Sequence, residues 1–299
     1  MSRCLVTGHR GYIGSRLYKK LVDLGHEVQG IDLVEGNDIN SLQGLVEDKH
    51  GKFHPRWANF KPEYVFHLAC IPRVAYSIEE PVKTMQNNVL AGSNVLNFAR
   101  KIGAKRVIYS SSSSINGNGD GPTNPYGLQK MVTEVETKLY AELYNIDTVS
   151  LRYFNVYSED QKASGPYATA ICNWMQHIRD GRRPFITGTG EQRRDMLYVE
   201  DAVSANIFAM NYDKPFRGQY FDCGTGANIS LNEVKHIVTK HFPGIEFDYV
   251  DPRPGDVLLT KAKSDELKKL GWQVEINIQE GIDNCFKQLK GEKDVNFIR

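Results

Sequence analysis

Cys4-Leu-Val-Thr-Gly8-His-Arg-Gly11-Tyr-Ile-Gly14 is a short apolar run that breaks at a glycine and then turns helical. Apolar residues recur at helical spacing over 12–24, and Gly25 supplies the stop. The reading is strand, glycine turn, helix. The glycines follow a Gly-x-x-Gly-x-x-Gly spacing, with one more residue between the first pair than the simplest dinucleotide fingerprint carries. They permit a tight turn and close backbone approach, and a helix N-terminus beyond them offers free N–H groups to a pyrophosphate. Taken alone, the same turn is what a ligand-free glycine loop looks like. Asp32 narrows the choice, because it ends a second strand, 27–32, where a carboxylate would accept the adenosine ribose hydroxyls and repel a 2′-phosphate. NAD is favoured over NADP. Arg10 and Arg16 read as a loop contact and a solvated helix position rather than a phosphate clamp.

Working outward, 64–69, 106–110 and 147–153 read as further strands, with helical stretches at 81–101 and 126–145 between them. Strands alternating with helices imply a parallel sheet covered on both faces, and right-handed crossovers make it doubly wound. After Asn155 the rhythm breaks into short elements punctuated by Gly165-Pro166, Gly181-Arg-Arg-Pro184, Gly188-Thr-Gly190 and Asp251-Pro-Arg-Pro-Gly255. A helix at 196–210 and a strand at 218–224 bring the chain back to the sheet. The expected organisation is an α/β dinucleotide-binding domain over 1–155, rejoined at about 196–224, with a smaller substrate-binding lobe over 156–299. No repeat or linker is visible, and 291–299 is expected to fray.

Composition sets the class. With 299 residues and 40% hydrophobic content the chain can bury a sizeable core unaided. A net charge of +1 provides no field to hold a nucleic acid or an anionic membrane, so a small molecule is the expected partner. The start of the sequence, running directly into a strand, is expected to carry no leader, and no apolar run reaches the roughly 18 residues of a membrane span. Five scattered cysteines, Cys4, Cys70, Cys172, Cys223 and Cys285, lack metal-ligand spacing. They read as reduced thiols of a cytoplasmic protein.

Tyr126-Gly-Leu-Gln-Lys130 adds chemistry. Residues at i and i+4 share a helix face, so the Lys130 ammonium can sit beside the Tyr126 phenol, favour phenolate and make it a usable base near neutral pH. A surface tyrosine and a solvated lysine would give the same pattern. Here, however, the pair follows Ser110 to Ser114, five serines closing the fourth strand at the sheet edge where ligands bind in open α/β folds.

With these motifs in hand, the chain resembles the extended short-chain dehydrogenase/reductase family, and within it the nucleotide-sugar epimerases. The resemblance also rests on His67-Leu-Ala69, Asn87-Asn-Val89, Leu151-Arg-Tyr-Phe-Asn155, Arg193-Arg194-Asp195, Arg253-Pro-Gly-Asp256 and Leu270-Gly-Trp272. It implies a Rossmann domain holding NAD. Gly8, Gly11 and Gly14 with the amides of Tyr12 and Ile13 would cradle the pyrophosphate, Asp32 would take the ribose, and Asp38 and Ile39 would flank the adenine. Leu68, Ala69, Asn88 and Tyr153 would line the cofactor channel, and Lys130 would bond the nicotinamide ribose. Ser112, Tyr126 and Lys130 would be catalytic. Asn155, Arg194, Arg253 and Asp256 would hold a nucleoside diphosphate, and the resemblance further implies a homodimer through helices 81–101 and 126–145.

Ser113 and Ser114 stand where similar dehydratases and decarboxylases carry acids, which leaves reversible oxidation at one carbon and hence 4-epimerisation of a UDP-hexose. Thr260 occupies a gate position whose small side chain would admit an N-acetyl group, so UDP-N-acetylglucosamine is expected beside UDP-glucose. Ala75 weakens a UDP-glucuronate reading, which Arg73 keeps open; a keto-sugar reductase and a non-catalytic dinucleotide binder compete with the epimerase. Two departures stand out: the Ser112-to-Tyr126 loop is about ten residues shorter than in similar proteins, and Thr187 replaces an aromatic residue near the nucleobase.

Overall fold

The computed structural model describes residues 1–32, 45–72, 74–161, 169–252 and 257–296. The chain divides into two units, residues 1–152 with 202–221, and 153–201 with 222–299.

In the first unit β1 (Arg3–Thr7) runs into α1 (Tyr12–Asp23) and β2 (Glu27–Ile31), followed by α2 (Pro55–Phe60) and β3 (Tyr64–His67). Next come α3 (Val74–Glu79), α4 (Pro81–Met85), α5 (Ala91–Ile102), β4 (Arg106–Ser112), α6 (Pro125–Tyr144) and β5 (Asp147–Tyr153). β1 pairs in parallel with β2 and β3, and β3 in parallel with β4. The six-stranded sheet has the order β10-β5-β4-β3-β1-β2, with β10 (Gln219–Cys223) joining at the far edge after α8 (Val199–Asn211). Strand order reverses between β1 and its neighbours β2 and β3, so the ends of β1, β3 and β4 form the switch point of a doubly wound fold. Leu5, Ile31, Val65 and Val107 from the strands pack with Val95, Leu96 and Phe98 from α5.

Arg106 anchors the returning segment. Its guanidinium meets Asp147 at 2.5 Å, lies 4.7 Å from the Phe216 ring, and donates to the carbonyls of Tyr212 and Lys214 at 2.8 Å each and of Ala209. With every arm occupied, this buried cation is well compensated.

The second unit contains β6 (Val156–Tyr157), α7 (Ala170–Arg179), β7 (Phe185–Thr187), β8 (Arg193–Arg194) and β9 (Leu197–Tyr198). It continues with β11 (Ile229–Ser230), α9 (Leu231–His241), β12 (Asp248–Val250), α10 (Asp265–Leu270) and α11 (Ile278–Asn296). Among the described residues its named strands pair in twos, β6 with β9, β7 with β12 and β8 with β11. Trp174, Ile186, Val238, Ile282 and Phe286 fill its core. No helix among the described residues is long and apolar enough to cross a membrane.

Three elements depart from their sequence outlines. The expected helix over 81–101 is interrupted by a π turn at Gln86–Leu90, where buried Asn87 donates to Lys83 O at 2.8 Å and Asn88 reaches out of the helix. The helix expected from Met196 begins at Val199, because Leu197 and Tyr198 pair with Val156 and Tyr157. Of the tail expected to fray, 291–296 continue α11, and 297–299 lie outside the described residues.

Candidate functional site

In the first unit the glycine turn forms a cradle. Gly8 has a φ of 74°, and a Cβ there would lie 2.8 Å from Ala69 N. A Cβ on Gly14 would fall 2.0 Å from Gly8 O. Neither position tolerates a side chain. Gly11 caps α1 without a side-chain bond, so the first-turn amides, those of Tyr12 and Ile13 among them, receive no cap from it. Asp32 is buried and accepts Arg10 N–H through Oδ2 at 2.9 Å. Arg16 lies along its own helix, donating to Tyr12 O at 2.8 Å. Leu68 and Ala69 form the floor under Gly8, tied to β1 by Leu68 N–H to Thr7 O at 3.2 Å and Ala69 N–H to Thr7 Oγ1 at 3.2 Å. Asn88 has its amide committed to the protein: Oδ1 accepts from Ile71 N at 2.6 Å, and Nδ2 donates to Ile71 O at 3.1 Å and to Gln129 Oε1 at 2.7 Å. It therefore holds the segment after β3 against α6. Asp38 and Ile39 lie outside the described residues.

At the end of β4 the serines divide the work. Lys130 Nζ donates to Ser110 O at 2.6 Å, and Ser111 Oγ donates to Glu134 Oε2 at 2.7 Å. Ser112 caps a short 3₁₀ turn, Ser113–Asn116, by accepting Ser114 N–H at 3.2 Å, and its hydroxyl also hydrogen-bonds Tyr126. The shortened loop still delivers this pair. Gly117, Gly119 and Gly121 take positive φ, and Asn124 Oδ1 accepts Gly127 N–H at 2.9 Å to start α6. Tyr126 N–H in turn donates to Ser77 Oγ at 3.1 Å.

The electrostatics correct one expectation. Burial pushes the Tyr126 phenol up, Lys130 and the Ser112 hydrogen bond pull it down, and burial wins, so Lys130 alone does not make a base at neutral pH. Lys130 stays charged: burial pulls it down, Cys70 and Tyr126 push it up, and the net direction is up. Behind the pair, His67 is buried and held to about 3, chiefly by desolvation and then by the Lys130 charge.

The second unit encloses a cavity of about 220 Å³ whose lining includes Asn155, Asn173, Trp174, Phe185, Gln192 and Arg194. Its two consecutive arginines separate. Arg193 is tied to Asn228 Oδ1 at 2.8 Å and Glu233 at 2.8 Å, whereas Arg194 lines the cavity. Asp195, fully buried, ties two segments to its own by accepting from Thr225 N and Gly226 N at 2.9 Å each, Thr225 Oγ1 at 2.7 Å and Ala262 N at 3.0 Å. Thr187 also lines the cavity, bonded to Gln192 Nε2 through its carbonyl at 2.8 Å. Tyr153 is buried at the end of β5. Arg73, Arg253 and Asp256 lie outside the described residues.

The profile of the NAD dependent epimerase/dehydratase family matches residues 4–224. The chain belongs to the NAD-dependent epimerase/dehydratase family. It is 34% identical to a putative UDP-glucose 4-epimerase of Methanocaldococcus jannaschii, over 96% of this chain and 98% of that protein. Its structure is similar to the UDP-N-acetylglucosamine 4-epimerase of Methanobrevibacter ruminantium M1 in complex with UDP-N-acetylmuramic acid, with a TM-score of 0.84 and 28% identity over 97% of this chain and 99% of that one. The UDP-glucose 4-epimerase of Thermus thermophilus in complex with NAD gives a TM-score of 0.81 and 27% identity over 97% and 99%.

This epimerase/dehydratase family member is accordingly an NAD-dependent enzyme of the nucleotide-sugar epimerase kind. Its own residues fit the cofactor. A cradle that one Cβ would fill, a helix start without a side-chain cap and a buried carboxylate whose Oδ1 accepts no hydrogen bond given among the described residues suit a pyrophosphate and a ribose diol. Sequence reasoning missed the cavity wall of Asn173, Trp174, Phe185 and Gln192, as well as Cys70, whose thiol hydrogen-bonds Lys130. The one signal for the wall was the polar Asn173 beside Ile171, Cys172, Trp174 and Met175 on amphipathic α7.

Proposed function

We propose that this enzyme interconverts the C4 epimers of a UDP-hexose, UDP-N-acetylglucosamine/galactosamine and UDP-glucose/galactose, through a 4-keto sugar. The observation that carries the reading is the Ser112–Tyr126–Lys130 set at the end of β4, reached by a loop that bears no acid at Ser113 or Ser114. Tyr126 Oη takes the proton of the sugar 4-hydroxyl, and Ser112 fixes that hydroxyl by hydrogen bonding. NAD, when bound, supplies reversible hydride acceptance at C4. Lys130 holds positive charge beside the phenol and lowers the cost of its ionised form. On the return step Tyr126 gives the proton back to the new 4-hydroxyl, so no net redox change remains. Gly8, Gly11, Gly14, Tyr12, Ile13, Asp32, Leu68, Ala69 and Lys130 are assigned to the cofactor. The cavity with Arg194 is assigned to the nucleotide, since a guanidinium suits a diphosphate and Trp174 and Phe185 offer rings to a base.

A homodimer is part of the proposal. Leu128, Val132, Val135, Leu139 and Leu143 are exposed at helical spacing along α6, beside exposed Val82, Met85 and Leu90. Such a stripe calls for a covering partner. Cytoplasmic residence is supported by five free cysteines, four of them buried.

Proton NMR of the purified protein with NAD and each of UDP-N-acetylglucosamine, UDP-glucose and UDP-glucuronate tests the activity. The C4 epimer should appear from the neutral sugars with no accumulation of NADH. No epimer from any of the three, with NADH consumed when NADH and a 4-keto-sugar nucleotide are supplied in their place, would replace the epimerase by a reductase.

A further inference from the structure

Arg152, on β5, uses its guanidinium in three directions at once. Nε and Nη2 fork onto the Glu134 carboxylate, at 3.0 Å to Oε2 and 2.5 Å to Oε1. Nη1 donates to Asn116 Oδ1 at 3.2 Å. The Tyr220 ring of β10 covers the flat face, with its centroid 3.6 Å from Arg152 Cζ. The Arg152 and Glu134 side chains are only 12% and 8% exposed, so the pair depends on this geometry to offset its desolvation. A lysine offers neither the fork nor the flat face. The Asn116 amide is oriented by the same contact, because a guanidinium can only donate and must meet the oxygen.

The two partners of Arg152 hold opposite ends of one short segment. Glu134 Oε2 also accepts from Ser111 Oγ at 2.7 Å, one residue before Ser112. Asn116 closes the 3₁₀ turn that Ser112 opens. Between those two ties stands the Ser112 hydroxyl, which accepts Ser114 N–H at 3.2 Å and hydrogen-bonds Tyr126. Beyond Asn116 the short loop turns back at once. Gly119 N–H returns to Asn116 O at 2.8 Å, and a Cβ on Gly117 would fall 2.0 Å from Gly121 O. On the other side α6 presses against the turn, since a Cβ on Gly127 would lie 2.6 Å from Ser114 O. Rotation of the turn therefore carries Ser112 across the first residues of α6, where Tyr126 sits.

We propose that Arg152 is a positioning residue for the Ser112–Tyr126 pair. Through Glu134 it fixes residue 111 and through Asn116 it fixes residue 116, and the segment held at both ends keeps the Ser112 hydroxyl on the phenol. The proposal rests on the reading of Ser112, Tyr126 and Lys130 as the reaction centre and adds what holds its serine in place.

Arg152→Ala would leave the Glu134 carboxylate buried without its cation, so the test is made at Asn116. Asn116→Ala deletes the acceptor, and Asn116→Asp keeps one of the same shape. Both are compared with Ser112→Ala and with the double variant Ser112→Ala/Asn116→Ala, by C4 epimerisation of UDP-glucose and UDP-N-acetylglucosamine with NAD present. Asn116→Ala should lose at least about tenfold in kcat, with KM and NAD affinity within about twofold of wild type, since a misplacement of about 1 Å suffices for such a loss. The acid limb of its pH–rate profile should move to higher pH, because the Ser112 hydrogen bond is one of the two contacts that lower the Tyr126 phenol. Asn116→Asp should recover the wild-type kcat. In the Ser112→Ala background the Asn116→Ala change should cost less than about twofold, because the serine through which it acts is gone. Unchanged kcat in Asn116→Ala, an equal loss with and without Ser112, an unmoved acid limb, or an aspartate variant as slow as the alanine one would each overturn the proposal and leave Arg152 a structural ion pair. Full activity in Ser112→Ala would instead overturn the reading of the reaction centre, and the proposal with it.

Discussion

Tyr126 sits in surroundings that oppose its work as a base. It is buried, and burial raises its phenol further than Lys130 and Ser112 lower it. Since the reaction needs the phenolate, kcat/KM should climb with pH along an acid limb of slope near one until the phenol ionises in the loaded enzyme. Lys130→Met removes the principal opposing charge, so that limb should move upward by about one pH unit or more, and the rate at pH 7 should fall by at least about tenfold. Tyr126→Phe should lose about 10² to 10⁴-fold in turnover. Both are read from pH–rate profiles, with NAD binding followed separately. Unchanged turnover in Tyr126→Phe would remove the mechanism, whatever the fold.

At the scale of elements, legibility tracked locality. β1 to α1 was readable because an apolar run, three spaced glycines and a periodic helix are all local signals, and β5 falls at 147–153 as its pattern indicated. Ser112, Tyr126 and Lys130 could be placed together, because one strand end and one helix start position all three. The π turn at Gln86–Leu90 was not legible, since it accompanies a partner, Gln129, that lies 41 residues from Asn88 in sequence. The cavity was only partly legible: α7 and α9 supply part of its wall, but the rest comes from strands of two and three residues, too short for any period to show. Misjudging the Tyr126 base had a related cause, because the i,i+4 spacing reveals the lysine but not the desolvation. The apolar stripe on α6 carries the element-scale prediction. Leu139→Glu places a charge in the middle of that stripe and should convert a dimer to monomer by light scattering, with secondary structure retained. A wild-type monomer at micromolar concentration would sink the dimer.

For the whole molecule, acid acts on a group that solvent hardly reaches, His67, which is 2% exposed. His67 Nδ1 meets Thr7 Oγ1 at 2.8 Å, its ring stacks on Tyr109 at 5.5 Å, and its buried Nε2 has no hydrogen-bond partner among the described residues. Folded, it is held neutral down to about 3; unfolded, it takes a proton near the ordinary histidine value of 6.5. Between those values the unfolded chain binds more protons than the native one, so His67 contributes nothing above pH 7 and an increasing penalty as pH falls. From pH 7.5 to 5 the penalty amounts to about 2 kcal/mol. Other groups also change their ionisation with pH, for instance Asp201, whose carboxyl burial raises, so the contribution must be isolated as a difference. His67→Gln has no proton to take up in that range. Urea unfolding of both proteins should therefore show the variant less stable at pH 7.5, through loss of the ring's packing, and that deficit should shrink by about 2 kcal/mol at pH 5. A deficit that stays constant with pH would mean that the ring is hydrated in solution and that the layer behind Tyr126 and Lys130 is not dry.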